Sequence, residues 1–203
     1  MYNIYQTDGI ILGGFNQREA NRFFYIFSEN LGLIKATAQS ARELKSKLRY
    51  GLQDFALSRF SLARGQGVWR ITNVEFKDSL YYSFRNDKKK LCIVANILIL
   101  LKKLLAGEKR NEKLYQIIIQ AFAFLEQAEL SAKNIQNFEN IILTRILHNL
   151  GYFDEKKKEK DAMIYRGFLQ TSDWNEDLLK KMDDIKTQAI LEINESLRLT
   201  NLF

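Results

Sequence analysis

The stretch Asn21-Arg22-Phe23-Phe24-Tyr25-Ile26-Phe27-Ser28-Glu29-Asn30-Leu31-Gly32-Leu33-Ile34-Lys35-Ala36-Thr37-Ala38-Gln39 decides the fold. Two runs rich in aromatic and β-branched residues flank a polar turn, Glu29-Asn30-Leu31-Gly32, which is the pattern of two strands joined by a hairpin. In the second run Ile34, Ala36 and Ala38 face one way, and Leu33, Lys35 and Thr37 face the other. In the first run Phe23, Tyr25 and Phe27 alternate, and this set is expected to face the core.

Outward from this hairpin, residues 5–15 read as a preceding strand ended by Asn16-Gln17. Residues 50–64 read as a fourth, bent strand, and Gly65-Gln66-Gly67 turns it into a fifth at 68–76. Five short strands with a longer connection after the third suit a small OB-type barrel, whose closure removes exposed edges. From about residue 78 the period becomes helical, with helices expected at 88–106, 111–127, 134–150, 173–182 and 185–199. Gly107 and Gly151 serve as stops, and Asp173 with Glu176 forms a capping-box-like start. The fold class is therefore α+β: a five-stranded OB-type β-barrel domain over residues 1–80, then an all-α domain over 81–203. No Gly/Ser linker separates them, so the halves are expected to pack together.

The 203-residue chain, 46% hydrophobic and 27% charged, has the composition of a globular protein. Its single cysteine, Cys92, excludes an internal disulfide or a multi-thiolate zinc site, and in its apolar helix it reads as a small buried hydrophobe. The absence of proline removes PxxP ligands. The longest apolar run, 91–101, is interrupted by Asn96 and followed by Lys102-Lys103, well short of the about 20 residues that span a bilayer. Met1-Tyr2-Asn3-Ile4-Tyr5 lacks the basic start of a signal peptide, so the cytoplasm is expected, without a membrane partner.

Catalytic patterns are missing. Lys45-Ser46 lacks the glycines of a phosphate-binding loop, and Gly65-Gln66-Gly67 joins strand to strand, where a dinucleotide fingerprint would need a helix. There is no Gly-x-Ser-x-Gly elbow, and the only histidine, His148, sits late in a helix. The expectation is a binding protein with no catalytic residue and no cofactor.

The formal net charge is +7. Within residues 35–49, Lys35, Arg42, Lys45, Lys47 and Arg49 face a single acid, Glu43, and Tyr50 follows. Arg64, Trp69 and Arg70 lie on the hairpin of strands four and five, and Arg18 and Arg22 flank the start of strand two. Trp69 is expected in the core. Cations that track phosphates beside rings that stack bases hold single-stranded nucleic acid. Lys35, Arg42, Lys45, Lys47, Arg49, Tyr50, Arg64 and Arg70 are accordingly the candidate nucleic-acid contacts. Five phosphate contacts at a slope of roughly −0.7 each predict roughly a hundredfold loss of affinity between about 50 and 200 mM salt.

Taken in order, the residues resemble the bacterial recombination mediator RecO family. The resemblance runs through Thr7-Asp8-Gly9-Ile10-Ile11-Leu12, Arg18-Glu19-Ala20-Asn21 and Phe27-Ser28-Glu29-Asn30-Leu31-Gly32-Leu33-Ile34-Lys35. It continues through Ala41-Arg42, Lys45-Ser46-Lys47-Leu48 and Leu52-Gln53-Asp54-Phe55, then more loosely through Leu114-Tyr115 and Leu147-His148-Asn149-Leu150-Gly151-Tyr152. It implies a protein that binds single- and double-stranded DNA and anneals complementary strands without ATP. It also implies help in loading RecA onto strands coated by single-strand-binding protein, on the nucleoid, with RecR as partner. The family's helical domain takes the acidic tail of the single-strand-binding protein, for which Lys102, Lys103 and Arg145 beside an apolar groove are the candidates. Two departures stand out. Ala38-Gln39-Ser40 replaces the family's Ala-Lys-Gly, and residues 153–161 carry none of the four cysteines that hold zinc in many members, so no metal is expected. The run Lys156-Lys157-Lys158-Glu159-Lys160 is a solvated loop or a further DNA contact. Two other readings are a protein-interaction module whose basic loop meets an acidic partner and an RNA-binding OB-fold protein.

Overall fold

The computed structural model describes residues 3–17, 21–39, 48–154, 162–171 and 173–200. Five strands, β1 (Ile4–Gln17), β2 (Asn21–Ser28), β3 (Gly32–Ala38), β4 (Ala56–Arg64) and β5 (Trp69–Ser79), close into a barrel in the order β1-β2-β3-β5-β4. All pairs are antiparallel except β3 with β5. This is the OB-type barrel expected from the five-strand pattern. One long strand serves two neighbours: β1 pairs with β4 through its first half and with β2 through its second. The changeover falls at Gly9, where a Cβ would meet the Ile26 side chain at 2.8 Å and the Phe27 carbonyl at 3.1 Å.

The barrel interior is filled by Ile11, Phe24, Ile26, Ile34, Ala36, Ala38, Leu52, Ala56, Phe60, Leu62, Trp69 and Ile71. Each large side chain buried there contributes about 1.5–3 kcal/mol. Small Ala36 stands between Phe24 and Trp69, its partners on the neighbouring strands β2 and β5. The interior set of β2 is thus Phe24 and Ile26, which corrects the expectation for Phe23, Tyr25 and Phe27. Phe23 and Tyr25 are only half-buried, and Phe27 is covered from outside by the Tyr115 ring, 5.5 Å away. The β2–β3 turn is closed by Ser28, whose hydroxyl donates to the Gly32 carbonyl and accepts from the Leu31 amide. Gly32 adopts φ +72°, and a side chain there would collide with the Lys109 backbone.

The fourth stretch is divided. A 3-10 turn, Tyr50–Leu52, precedes β4 and sends Leu52 into the core while Tyr50 stays 71% exposed. The strands end at Ser79, and a short helix α1 (Leu80–Phe84), absent from the sequence reading, leads to α2 (Lys88–Leu104). Asp87 caps α2 by accepting from the Lys89 and Lys90 amides. Ile93, Val94, Ile97, Leu98, Leu101 and Leu104 form its buried face. Cys92 is exposed, correcting its assignment to the interior.

The remaining helices are α3 (Glu112–Gln127), α4 (Ala132–Asn149), α5 (Ala162–Gln170) and α6 (Glu176–Leu199). α5 was not foreseen, and the two expected final helices are one. Its N-cap is Asn175, which accepts from the Leu178 amide, in place of the expected Asp173–Glu176 pair. By compactness the chain divides into residues 1–115 and 116–203, so the first unit holds α1 and α2 as well as the barrel. Within the second unit α4 packs on α5 and α6. Among the described residues no helix is long and apolar enough to cross a membrane.

Candidate nucleic-acid interface

Residues opposite one another on paired strands present their side chains to the same face. The register aligns Phe15 with Phe23, Phe23 with Thr37 and Thr37 with Arg70, a row across four strands on the outer wall. At about 4.8 Å per strand the row spans about 14 Å. Beside it Tyr25 pairs with Lys35. The Phe15 and Phe23 rings stack at 4.8 Å and 18°, and Tyr25 meets Phe23 edge-on at 5.7 Å. Phe15 is 50% exposed, and Lys35 and Arg70 are exposed. The ammonium of Lys102, on α2, lies 4.3 Å from the Tyr25 ring centroid. The wall therefore carries three aromatic rings and three cations, the combination that holds a single strand.

Ion pairs decide which other cations are available. Arg22 is bound to Asp54 at 2.7 Å, and Asp8 holds both Arg59 at 2.9 Å and Lys77 at 2.6 Å. The hydrogen bond from Arg59, helped by Lys77, keeps the Asp8 carboxyl below the usual carboxylate range despite partial burial. Arg64 is paired with Glu108, and its guanidinium lies 4.6 Å above the Trp69 ring. Among the described residues, Lys35 and Arg70 have no acidic partner.

Of the eight sequence-expected contacts, Lys35 and Arg70 come together on this wall. Arg64 stands at the adjoining end of β4, opposite Trp69, with its charge engaged by Glu108. Trp69 is 3% exposed, inside the barrel as expected. Arg49 and Tyr50 are exposed beside Gly51, which lies against Val74. That is four residues, about 13 Å, along β5 from Arg70. Arg42, Lys45 and Lys47 lie outside the described residues, as do Arg18 and the run 156–160. The rings Phe15, Phe23 and Tyr25 are the functional candidates that the sequence reading missed.

The three partner-site candidates do not form one site. Lys102 is half-buried over Tyr25, and Lys103 is exposed on α2. Arg145 is in the interior of the second unit, 4% exposed, which corrects its assignment to a docking surface. Its Nε donates to the Phe168 carbonyl at 2.8 Å, and an Nη donates to those of Thr171 at 2.8 Å and Asp173 at 3.3 Å. The guanidinium lies 4.3 Å from the Trp174 ring. Burial brings its pKa down to about 10. It staples the segment between α5 and α6 to α4.

Comparison with known proteins agrees with this fold. Residues 1–80 match the family model described as "Recombination protein O N terminal". The chain is 29% identical over 150 residues to a DNA repair protein RecO from Acetivibrio thermocellus, covering 74% of this chain and 58% of that protein. It is 30% identical over 154 residues to one from Synechocystis sp., covering 74% and 54%. It is 28% identical over 130 residues to one from Alkaliphilus metalliredigens, covering 64% and 52%. The chain thus spans just over half the length of these curated relatives. Residues 1–80 are thus similar to the recombination protein O N-terminal family, and the similarity to RecO proteins runs on through about three quarters of the chain.

Proposed function

We propose that this chain acts in DNA repair and recombination as a cytoplasmic mediator without enzymatic activity, binding single- and double-stranded DNA through its barrel. The observation that carries the reading is the outer row Phe15–Phe23–Thr37–Arg70 with Tyr25 and Lys35 beside it. Arg70 and Lys35 neutralise phosphates, and the rings offer flat faces to unpaired bases. Neutralising phosphates on two strands lowers their mutual repulsion, so complementary strands pair without ATP. Loading of RecA on strands coated by single-strand-binding protein, with RecR as partner, belongs to the same reading and rests on the similarity to RecO proteins. With Arg145 internal, the acidic tail of the single-strand-binding protein has to be met by other cations.

The test is a titration with a single-stranded oligomer at two salt concentrations, comparing the wild type with Lys35→Ala/Arg70→Ala. Losing two phosphate contacts makes the salt slope shallower by about 1.4. An unchanged slope in a folded variant rejects the wall. Competition by a matched RNA oligomer that equals or exceeds DNA assigns the same wall to RNA.

A further inference from the structure

The exposed face of α2 lies beside the wall and carries its own set of cations. The helix carries five lysines and no aspartate or glutamate. Lys88, Lys89, Cys92, Asn96, Ile99 and Lys103 are exposed along it, and their spacing places them on one side. Lys88, Lys89 and Lys90 occupy the first turn, where the helix dipole disfavours cations by roughly 0.3–1 kcal/mol each. Asp87 is already engaged with the Lys89 and Lys90 amides. Lys88 and Lys89 there oppose the dipole, and such local conflicts collect at functional surfaces.

Both ends of this face meet aromatic rings. At the C-terminal end Lys102 lies over Tyr25, within the wall. At the N-terminal end the Arg85 guanidinium lies 5.2 Å from the ring centroid of Tyr82, which packs on Tyr81 at 5.6 Å. Both tyrosines are about half exposed. Lys88 and Lys102 are 14 residues apart, about 21 Å along the axis. Among the described residues every exposed large aromatic side chain, Tyr5, Phe15, Tyr50, Phe76, Tyr81 and Tyr82, belongs to the first unit, whereas the large apolar side chains exposed in the second unit, Met163, Ile190, Leu191 and Leu199, are not aromatic.

We propose that this face of α2 is a cationic track that continues a bound single strand from the barrel wall, past Lys102 and Cys92, to Lys88, Lys89 and the Arg85–Tyr82 pair. The proposal rests on the wall being a strand-binding surface. An acidic peptide would also be drawn to the lysines. Rings at both ends of a track about 21 Å long favour a polymer that offers phosphates and base faces together.

Cys92, the only thiol of the chain, is exposed on the track about 6 Å along the axis from Lys88 and reports on its occupancy. Its rate of reaction with a thiol reagent is measured in the full chain with single-stranded DNA of about 4 nucleotides, the short end of the range for one OB site, and of about 30 nucleotides. The longer oligomer is expected to slow labelling severalfold, and the shorter one, held on the wall, to leave it unchanged. In Arg85→Ala/Lys88→Ala/Lys89→Ala the salt slope for the longer oligomer becomes shallower by about 2, three contacts at roughly 0.7 each, and that for the shorter one does not move. Unchanged labelling under saturating long DNA, or a wild-type slope in the folded triple variant, overturns the track. A glutamate-rich peptide that protects Cys92 where DNA does not overturns it too, and gives the face to an acidic polypeptide. Unchanged labelling together with a shallower slope in Lys35→Ala/Arg70→Ala retires the track and leaves the wall standing, whereas protection of Cys92 with wild-type binding by that variant removes the wall and with it the continuation.

Discussion

The ammonium of Lys102 stands 4.3 Å from the centroid of the Tyr25 ring, and this contact joins a helix to the ring cluster of the barrel wall. The contact does two things. It holds the end of α2 against the wall, and it puts a positive charge where the phosphate of a stacked base would pass. Lys102→Met keeps most of the stem and removes the charge. Stability should fall by about 0.5–1 kcal/mol, read as a shift in the urea midpoint, and the salt slope for single-stranded DNA should become shallower by about 0.7.

Phe15 is half exposed and stacked on Phe23, so its ring is available on one side. A base stacked on an aromatic ring contributes about 1–3 kcal/mol. Phe15→Ala should therefore weaken single-strand binding by roughly 5- to 150-fold. A duplex keeps its base faces inside, so its affinity should change much less. Gel-shift titrations with matched single- and double-stranded oligomers measure the two side by side.

The two aromatic sets of β2 show where sequence reading stops. Residues 23–27 are apolar on both sides of the strand, so alternation there does not say which set faces inward. The neighbouring strand does say. Ile34, Ala36 and Ala38 alternate cleanly with Lys35 and Thr37, and the Ser28–Gly32 pairing then puts Phe24 opposite Ala36 and Ile26 opposite Ile34. Strand number, the change from strands to helices and the Lys35 side of β3 were legible. The outward rings required the register, because a one-residue slip reverses every side chain.

Arg145 illustrates the other limit. Its charge suggested a surface, yet it follows Phe138 and Ile141 at helical spacing on the buried side of α4. Three backbone carbonyls and the Trp174 ring hold the guanidinium there. Arg145→Ala leaves those carbonyls without a donor and should destabilise the second unit by about 3 kcal/mol. Arg145→Lys should recover only part of this, because an ammonium cannot reproduce the planar fork. Urea denaturation followed by tryptophan fluorescence, with Trp174 in the affected cluster, checks both.

Asp8 gives a pH signature. Its folded pKa is lowered, first by the Arg59 hydrogen bond and then by Lys77. Its contribution is complete above the unfolded carboxylate value of about 3.9 and is lost as pH falls through the lower folded value. The stability of the wild type should decline in that window. Asp8→Asn, already lacking the charge, should show a smaller decline. Arg59 and Lys77 are exposed, so solvent screens these pairs and the difference should be small. Urea midpoints from pH 6 down to pH 3 follow it.

The central claim is that a single strand lies on the outer wall of β1, β2, β3 and β5 with bases against its rings. Photo-cross-linking with an oligomer carrying 5-iodouracil, followed by peptide mapping, tests it most directly, because the excited base couples to the ring it stacks on. Cross-links should map to Phe15, Phe23 or Tyr25 and diminish in Phe15→Ala. Cross-links confined to the second unit, or undiminished in that variant, contradict the account.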